Sequence, residues 1–158
     1  MSDHVGPAVE DKPPPAAALR VMNPILKTVL RSPLHRLFSR KLMLLHVTGR
    51  KTGGVYVVPV GRHERHGQLL VSAGGSWRRN FKNGADCEVT LDGRRRHGRG
   101  DLVDDPQQVA EIFADLLADI GLRRANMLGL QVNVGRVPSV EELRVALVDR
   151  NIVRLTLS

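Results

Sequence analysis

Two glycine-containing segments carry the residues that are best suited to bind an anion. The first is the turn at residues 48–53, Thr-Gly-Arg-Lys-Thr-Gly, in which glycines let backbone N–H groups converge while Arg50 and Lys51 add positive charge. Its glycines lack the P-loop spacing, which places four residues between the first glycine and the Gly-Lys pair. An anion-binding turn and an ordinary basic surface turn are both consistent with this segment alone.

The second segment, at residues 72–80, reads Ser-Ala-Gly-Gly-Ser-Trp-Arg-Arg-Asn. Gly74 and Gly75 would let a ligand approach the backbone closely, and Ser76 is a candidate N-cap for a short helix whose free N–H groups would bind phosphate or carboxylate. Further donors would come from Arg78, Arg79 and Asn80. The alternative interpretation is a strand–helix junction with solvated arginines and with Trp77 in the core.

The other reactive side chains favour structural roles. His63 and His66 lie three residues apart, but a metal site needs about three ligands in one place and the sequence offers no further cluster, so no metal is predicted. Cys87 lies in a predicted strand without an identifiable base, which favours a core residue over a nucleophile. Ser76 is not in the G-x-S-x-G context of a hydrolase nucleophile. The basic run at residues 94–97 is typical of a solvated face.

Short strands must position the two glycine segments. Residues 42–47 form a continuous apolar run typical of a strand buried on both faces, and Asp92-Gly93 is a strong two-residue hairpin turn. The clearest helix begins where Asp105 caps and Pro106 follows. The patterns predict strands at 42–47, 55–62, 68–73, 87–91, 94–103 and 151–157, and helices from Asn23-Pro24 and at 34–40, 77–83, 106–120 and 140–147. The predicted fold class is α+β, a barrel of antiparallel strands with flanking helices.

Length and charge limit the classes of partner. The chain has 158 residues, and 24 Lys and Arg against 16 Asp and Glu give a net charge of +8, which suits an anionic partner. Nucleic acid is not expected as a partner, because aromatic residues make up only 3% of the chain and no recognition motif is present. Residues 1–18 are predicted to be a disordered tail and residues 19–158 a single domain. A single cysteine and the lack of an apolar leader predict a cytoplasmic protein.

In these motifs the chain resembles the deazaflavin-dependent nitroreductase family, whose members use coenzyme F420 on a split β-barrel fold. The resemblance runs from about residue 22 to the end, and its most specific part is Gly-Arg-Lys-Thr-Gly at residues 49–53 followed by Pro59-Val60. The other matching blocks are Asn23-Pro24 and residues 32–37, 42–47, 70–71, 74–75, 77–80 and 136–138. The resemblance implies a split β-barrel that binds an anionic F420 molecule.

The resemblance also implies a role for each matching residue. Arg50 and Lys51 would hold the phosphate and oligoglutamate tail of the cofactor, and Pro59 and Val60 would lie beside the deazaflavin ring. The full cofactor site implied in this way comprises Arg50, Lys51, Thr52, Pro59, Val60, Gly74, Gly75, Ser76, Trp77, Arg78 and Asn80. In this set Asn80 would fix the second turn. Ser76, placed near the ring, is the candidate catalytic proton donor.

The predicted function is that of an oxidoreductase that passes a hydride from reduced F420 to a small organic acceptor, namely a quinone, an enone or a nitro compound. The segment at residues 125–132 lacks the tyrosines that line the substrate pocket of nitro-drug-reducing relatives. A non-catalytic carrier of F420, flavin, haem or a fatty acid is therefore the alternative, followed by an FMN-dependent oxidoreductase on the same fold. The resemblance implies a homodimer, and the amphipathic residues 34–40 would permit peripheral membrane contact.

Overall fold

The structure is a computed structural model that describes residues 6–12, 23–25, 27–29, 31–32 and 42–158. Residues 23–25, 27–29 and 31 are helical, which agrees with the helix predicted from Asn23-Pro24. The predicted amphipathic segment at 34–40 lies outside the described residues. No helix in the described part of the chain has the length and apolar character that crossing a bilayer requires.

The chain divides into two compact units. Met1–Pro14 and Asp104–Arg150 form the first, which we call the helical unit. Pro15–Val103 and Asn151–Ser158 form the second, which we call the sheet unit. A single domain over residues 19–158 stays a prediction.

Nine strands are present among the described residues: β1 (Val9–Asp11), β2 (Leu42–Thr48), β3 (Val55–Gly61), β4 (His63–Arg65), β5 (Gln68–Ala73), β6 (Ala85–Leu91), β7 (Arg94–Val103), β8 (Leu130–Val132) and β9 (Asn151–Leu157). All six predicted strands are among them. The sequence pattern does not reveal β1, β4 and β8, because three residues are too few to show a period. Residues 9–11 pair with β8, which corrects the prediction of a disordered tail at these positions.

The antiparallel sheet of the sheet unit curls on itself. Its strand order is β3-β2-β6-β7-β9-β5-β4, yet β3 at one edge also contacts β5 near the other edge. Alternate residues of each strand point to the inner face, so Met43, Leu45 and Val47 of β2 pack in one buried cluster with Val71 and Val153 from β5 and β9. An α+β fold with a curled antiparallel half-barrel and helices confirms the predicted fold class.

Local turn chemistry joins neighbouring strands as predicted. Asp92 and Gly93 have φ angles of 50° and 76°, the left-handed conformation that a two-residue hairpin turn requires, and they join β6 to β7. His66 and Gly67, with φ angles of 52° and 74°, join β4 to β5 in the same way.

The helical unit contains helix α1 (Pro106–Ile120), a 3-10 helix (Leu122–Leu128) and helix α2 (Val140–Ala146). The Asp105 side chain accepts a hydrogen bond from a first-turn N–H of α1 at 3.0 Å, as predicted. Ser139 and Glu142 form a capping box at the start of α2, which the sequence predicts as a helix at 140–147. The β1–β8 ribbon is tied down by Arg150, whose guanidinium lies 2.8 Å from the carboxylate of Asp11.

Candidate functional site

The two glycine segments line the same cleft. The first is the turn between β2 and β3, and the second is a 3-10 helix (Ser76–Phe81) that follows β5. Both belong to the sheet unit, and between them they enclose a cleft of about 430 Å³. Its lining residues are Gly49, Arg50, Lys51, Thr52, Tyr56, Ser76, Trp77, Arg79 and Asn80. The curl of the sheet thus brings together residues that are about 25 positions apart in the chain.

The first wall of the cleft is a tight, internally bonded turn. The Gly49 N–H donates to the Gly54 carbonyl at 2.8 Å, and the Gly53 N–H donates back to the Gly49 carbonyl at 2.9 Å. Gly53 has a φ angle of 69°, which favours glycine at that position. These bonds hold Arg50, Lys51 and Thr52 at the tip of the turn.

Asn80 joins the two walls. Its Oδ1 atom accepts a hydrogen bond from the backbone N–H of Arg50 at 3.0 Å, and its Nδ2 atom donates to the carbonyl of Trp77 at 2.9 Å. Both ends of the carboxamide are therefore engaged within the protein. This geometry suits the role in fixing the second turn that the resemblance implies for Asn80.

The guanidinium groups of Arg50 and Arg78 bind backbone carbonyls. Arg50 donates through Nη2 to the carbonyl of Lys82 and, at 3.4 Å, to that of Gly84. Arg78 donates through Nη1 to the carbonyl of Ala73 at 3.2 Å. Arg78 is also absent from the lining of the cleft. These two arginines therefore stabilise the loops around the cleft.

Among the three cations that line the cleft, Lys51 and Arg79 are exposed and their side chains have no hydrogen-bond or ion-pair partner in the part of the chain that the structure describes. They stand on opposite walls, Lys51 on the turn and Arg79 on the 3-10 helix. With Arg50 they give the cleft three positive charges, and no carboxylate occurs among its described lining residues. These three cations would attract an anion into the cleft, and no acidic side chain among the described lining residues would repel it.

Two aromatic rings rest on the glycines of the two segments. A methyl group in place of a Gly49 hydrogen would lie 2.8 Å from Cε2 of Tyr56, and one on Gly75 would lie 2.7 Å from Cδ1 of Trp77. Gly75 has an ordinary φ angle of −82°, so the close approach of the ring is what requires glycine there. The rings of Trp77 and Phe81 meet edge to face with centroids 6.1 Å apart. Since Phe81 is 1% exposed, it anchors Trp77 to the core.

Several predicted site residues are not among the lining residues of the cleft: Pro59, Val60, Gly74, Gly75 and Arg78. Val60 is 7% exposed and packs in the core, while Pro59 lies on the edge strand β3, where the loss of a ladder donor is tolerated. Their implied roles stay predictions. Ser76 lines the cleft, but the expected N-cap is wrong: Gly75 occupies the cap position, without a side-chain hydrogen bond.

Tyr56 is a lining residue that the sequence analysis did not identify. It alternates with Val58 and Val60, which pack against the core, so the strand period places all three on one face. Only its position at the start of β3, next to the basic turn, indicates that it would reach a cleft. The sequence presents Arg79 only as one of several donors in the second segment and has no signal that separates it from Arg78.

A second cavity, of about 340 Å³, lies on the outer face of β2. There the Nε2 atom of His46 is 2.8 Å from the Thr90 hydroxyl, and its Nδ1 atom is 3.4 Å from Nη2 of Arg95. Because a guanidinium only donates, Nδ1 must accept and Nε2 must carry the proton. Burial, followed by the charge of Arg95, lowers the pKa of His46 below 6.5. Arg95 is also 2.7 Å from the Glu88 carboxylate, so His46 belongs to a polar network that connects β2, β6 and β7.

Cys87 also lines the second cavity, but its thiol is not activated there. Burial raises the pKa of the Cys87 thiol to about 11, and the residue packs in the core as predicted. Within the described ranges, no three His, Cys, Asp or Glu side chains are grouped so that they could hold a metal ion.

Comparison with known proteins gives one family match. The model of the F420H(2)-dependent quinone reductase family matches residues 27–119. No curated protein matches the chain. Among solved structures, an F420 reductase is 17% identical, with 75% of this chain and 87% of that chain covered and a TM-score of 0.42.

Two further solved structures have similar scores. One, titled a domain-swapped dimer, is 16% identical, with 82% of this chain and 98% of that chain covered and a TM-score of 0.47. The other is an FAD and heme binding protein from Mycobacterium smegmatis, 16% identical, with 81% and 67% covered and a TM-score of 0.45.

Proposed function

The chain belongs to the F420H(2)-dependent quinone reductase family, and from this premise we propose that it binds reduced F420 in the cleft and reduces a quinone. Membership of this family confirms the predicted enzyme class, an oxidoreductase, and the predicted cofactor, coenzyme F420. The acceptor and the residues that bind the cofactor are part of the proposal.

The charge of the cleft supports this assignment of the cofactor. Three cations line it without a carboxylate among the described lining residues. F420 carries a phosphodiester and a chain of glutamate carboxylates, so its tail is complementary to Arg50, Lys51 and Arg79. Tyr56 and Trp77 add flat apolar surface beside these charges, which suits a ligand that also contains a planar ring. This convergence of cations and rings is the observation on which the proposal depends.

The protein residues have distinct tasks in this proposal. F420 supplies the hydride when it is bound, and the protein supplies position and electrostatics. Lys51 would attract the anionic tail, while Asn80 keeps the two walls in register through its bonds to Arg50 and Trp77. The hydroxyl of Ser76, exposed in the cleft, would donate a proton to the reduced acceptor.

A fluorescence titration with F420 tests the cofactor site. We expect the wild type to bind in the micromolar range or tighter. Lys51→Glu replaces a positive charge beside the anionic tail with a negative one, and we expect it to cost about 1.4 kcal/mol of binding free energy, which is about a factor of ten in affinity. Arg94→Glu is the matched control: it makes the same change of charge in the sheet unit, but outside the cleft. No F420 binding by the wild type, or an equal loss in both variants, would refute the site.

A turnover assay separates the enzyme from the alternative, a non-catalytic carrier. Oxidation of reduced F420 is followed with a soluble quinone, an enone and a nitroaromatic compound as acceptors, and FMN replaces F420 in a parallel series. We expect turnover with F420 and the quinone. Binding of F420 without turnover of any acceptor would favour the carrier, and turnover that requires FMN would favour the flavin enzyme.

The homodimer and the peripheral membrane contact stay proposals. The amphipathic segment at residues 34–40 motivates the membrane contact, and a hydrophobic quinone would be reached most easily there. Sedimentation velocity measures the oligomeric state, and co-sedimentation with anionic vesicles measures the contact. A monomer that stays in the supernatant would contradict both.

A further inference from the structure

The four cations nearest the cleft fall into two pairs with different environments. Arg50 and Arg78 donate to backbone carbonyls of their own unit. Lys51 and Arg79 are exposed, and their side chains have no partner among the described residues. The guanidinium groups of the first pair therefore stabilise the protein backbone, whereas the side chains of the second pair are available to bind a ligand.

The geometry of the 3-10 helix explains why Arg79, and not its neighbour Arg78, faces the cleft. With three residues per turn, side chains three apart stand in one row along the helix. Phe81 is 1% exposed and points into the core, so Arg78 shares the core-facing row. The other two rows, Ser76 with Arg79 and Trp77 with Asn80, are the four helix residues that line the cleft.

Arg79 and Lys51 offer complementary chemistry. A guanidinium presents a planar fork that bonds both oxygens of a phosphate or carboxylate, whereas an ammonium is a compact point charge. Placed on opposite walls, the two groups can hold successive charges of an extended polyanion. Since no described lining residue is acidic, nothing on the walls competes with such a ligand.

We infer that Arg79 is a second cofactor-binding residue, which together with Lys51 holds the phosphate and carboxylate tail of F420. The assignment rests on the proposed function and extends it. The family resemblance implies Arg50, Lys51 and Arg78 as cofactor-binding residues, but the guanidinium in the cleft that has no partner among the described residues belongs to Arg79. Binding should therefore depend on the tail of the cofactor more than on its ring.

The variants Arg79→Gln and Arg78→Gln form a matched pair, because each removes one charge from neighbouring positions. Affinity is measured by fluorescence titration with F420 and with the tail-less deazaflavin riboside, and the melting temperature of the ligand-free protein is measured in parallel. For Arg79→Gln we expect F420 to bind about tenfold more weakly, while the riboside changes less than about twofold and the melting temperature stays unchanged. For Arg78→Gln we expect a lower melting temperature with a smaller change in F420 affinity.

A second substitution, Arg79→Lys, keeps the charge and removes the fork, so part of the F420 affinity should return. The inference is overturned if Arg79→Gln binds F420 as the wild type does, or if it loses the riboside to the same extent. Those outcomes would leave the proposed function intact. A wild type that binds no F420 would instead overturn the proposed function and this assignment together.

Discussion

Replacing Asn80 by alanine tests the link that holds the two walls of the cleft together. The substitution removes the acceptor for the Arg50 N–H, at 3.0 Å, and the donor to the Trp77 carbonyl, at 2.9 Å. Both the turn and the 3-10 helix remain bonded within themselves, so the fold should survive. What is lost is the connection between them.

The magnitude follows from the exposure of the groups that are left behind. A hydrogen bond of this kind contributes about 1 kcal/mol, so two bonds set an upper limit of about 2 kcal/mol. The Arg50 N–H lies in an exposed turn and can bond water after the substitution, which reduces the expected loss to about 1 kcal/mol. For a chain of this size that corresponds to a fall of about 2–4 °C in melting temperature.

Calorimetry and an F420 titration on the same samples give the two readouts. We expect Asn80→Ala to show the lower melting temperature and F420 binding about fivefold weaker, since the free cations no longer stand at a fixed separation. Asn80→Asp keeps the acceptor but loses the donor and adds a negative charge. Its melting temperature should be intermediate and its affinity the lowest of the three.

Asn126→Ala is the control, because the Asn126 side chain lies in the helical unit and makes no hydrogen bond within the described residues. It should leave both readouts unchanged. The reasoning is refuted if Asn80→Ala melts within about 1 °C of the wild type and binds F420 equally well, since the carboxamide would then not connect the walls.

Three further predictions concern stability. Gly100→Ala should cost about 1–3 kcal/mol, because a methyl group there would overlap the Phe81 ring; urea unfolding measures the loss, and an unchanged midpoint would contradict it. Because burial lowers the pKa of His46 below its ordinary value of 6.5, the unfolded chain takes up the proton first; the contribution of His46 to stability is therefore present above pH 6.5 and is lost as the pH falls from there through the lowered pKa of the folded state. Stability should therefore be lower at pH 5.5 than at pH 7.5, and His46→Asn should reduce this difference but leave the part due to His63, whose pKa burial also lowers. An equal difference in the variant would exclude His46. Ser139→Ala should remove about 1 kcal/mol through loss of the α2 cap, and thermal unfolding with an unchanged midpoint would show that the cap is dispensable.

Elements encoded by neighbouring residues could be predicted from the sequence. The Asp92-Gly93 hairpin and the Asp105 cap each depend on one or two residues whose backbone preference is intrinsic, and both occur where they are predicted. β1 could not be predicted, because its three residues have no period of their own. It pairs with β8 and Asp11 contacts Arg150, and both partners are far along the chain.

The same distinction applies to the cleft. The basic turn and the Gly-Gly segment are visible as local motifs, and their convergence follows from the strand order. The sequence does not show why glycine is needed at Gly49 and Gly75. Glycine is needed there because the rings of Tyr56 and Trp77 pack against these positions, and the positions of the rings are fixed only in the folded structure.

Packing in the core determines which way the side chains of Arg78 and Arg79 point. A six-residue helix has no period that the sequence could reveal, and either arginine would serve as an anion ligand by its chemistry alone. Phe81 determines which arginine faces the cleft. Its side chain is buried against Gly100, which fixes the rotation of the 3-10 helix about its axis and places Arg78 on the same inward-facing row. An α-helix would place residues 77 and 78 on the same face as Phe81, whereas in the 3-10 helix only Arg78 shares the row of Phe81, and Ser76 and Arg79 form a row that faces the cleft. The ligand-binding charge is therefore set by a hydrophobic contact outside the cleft.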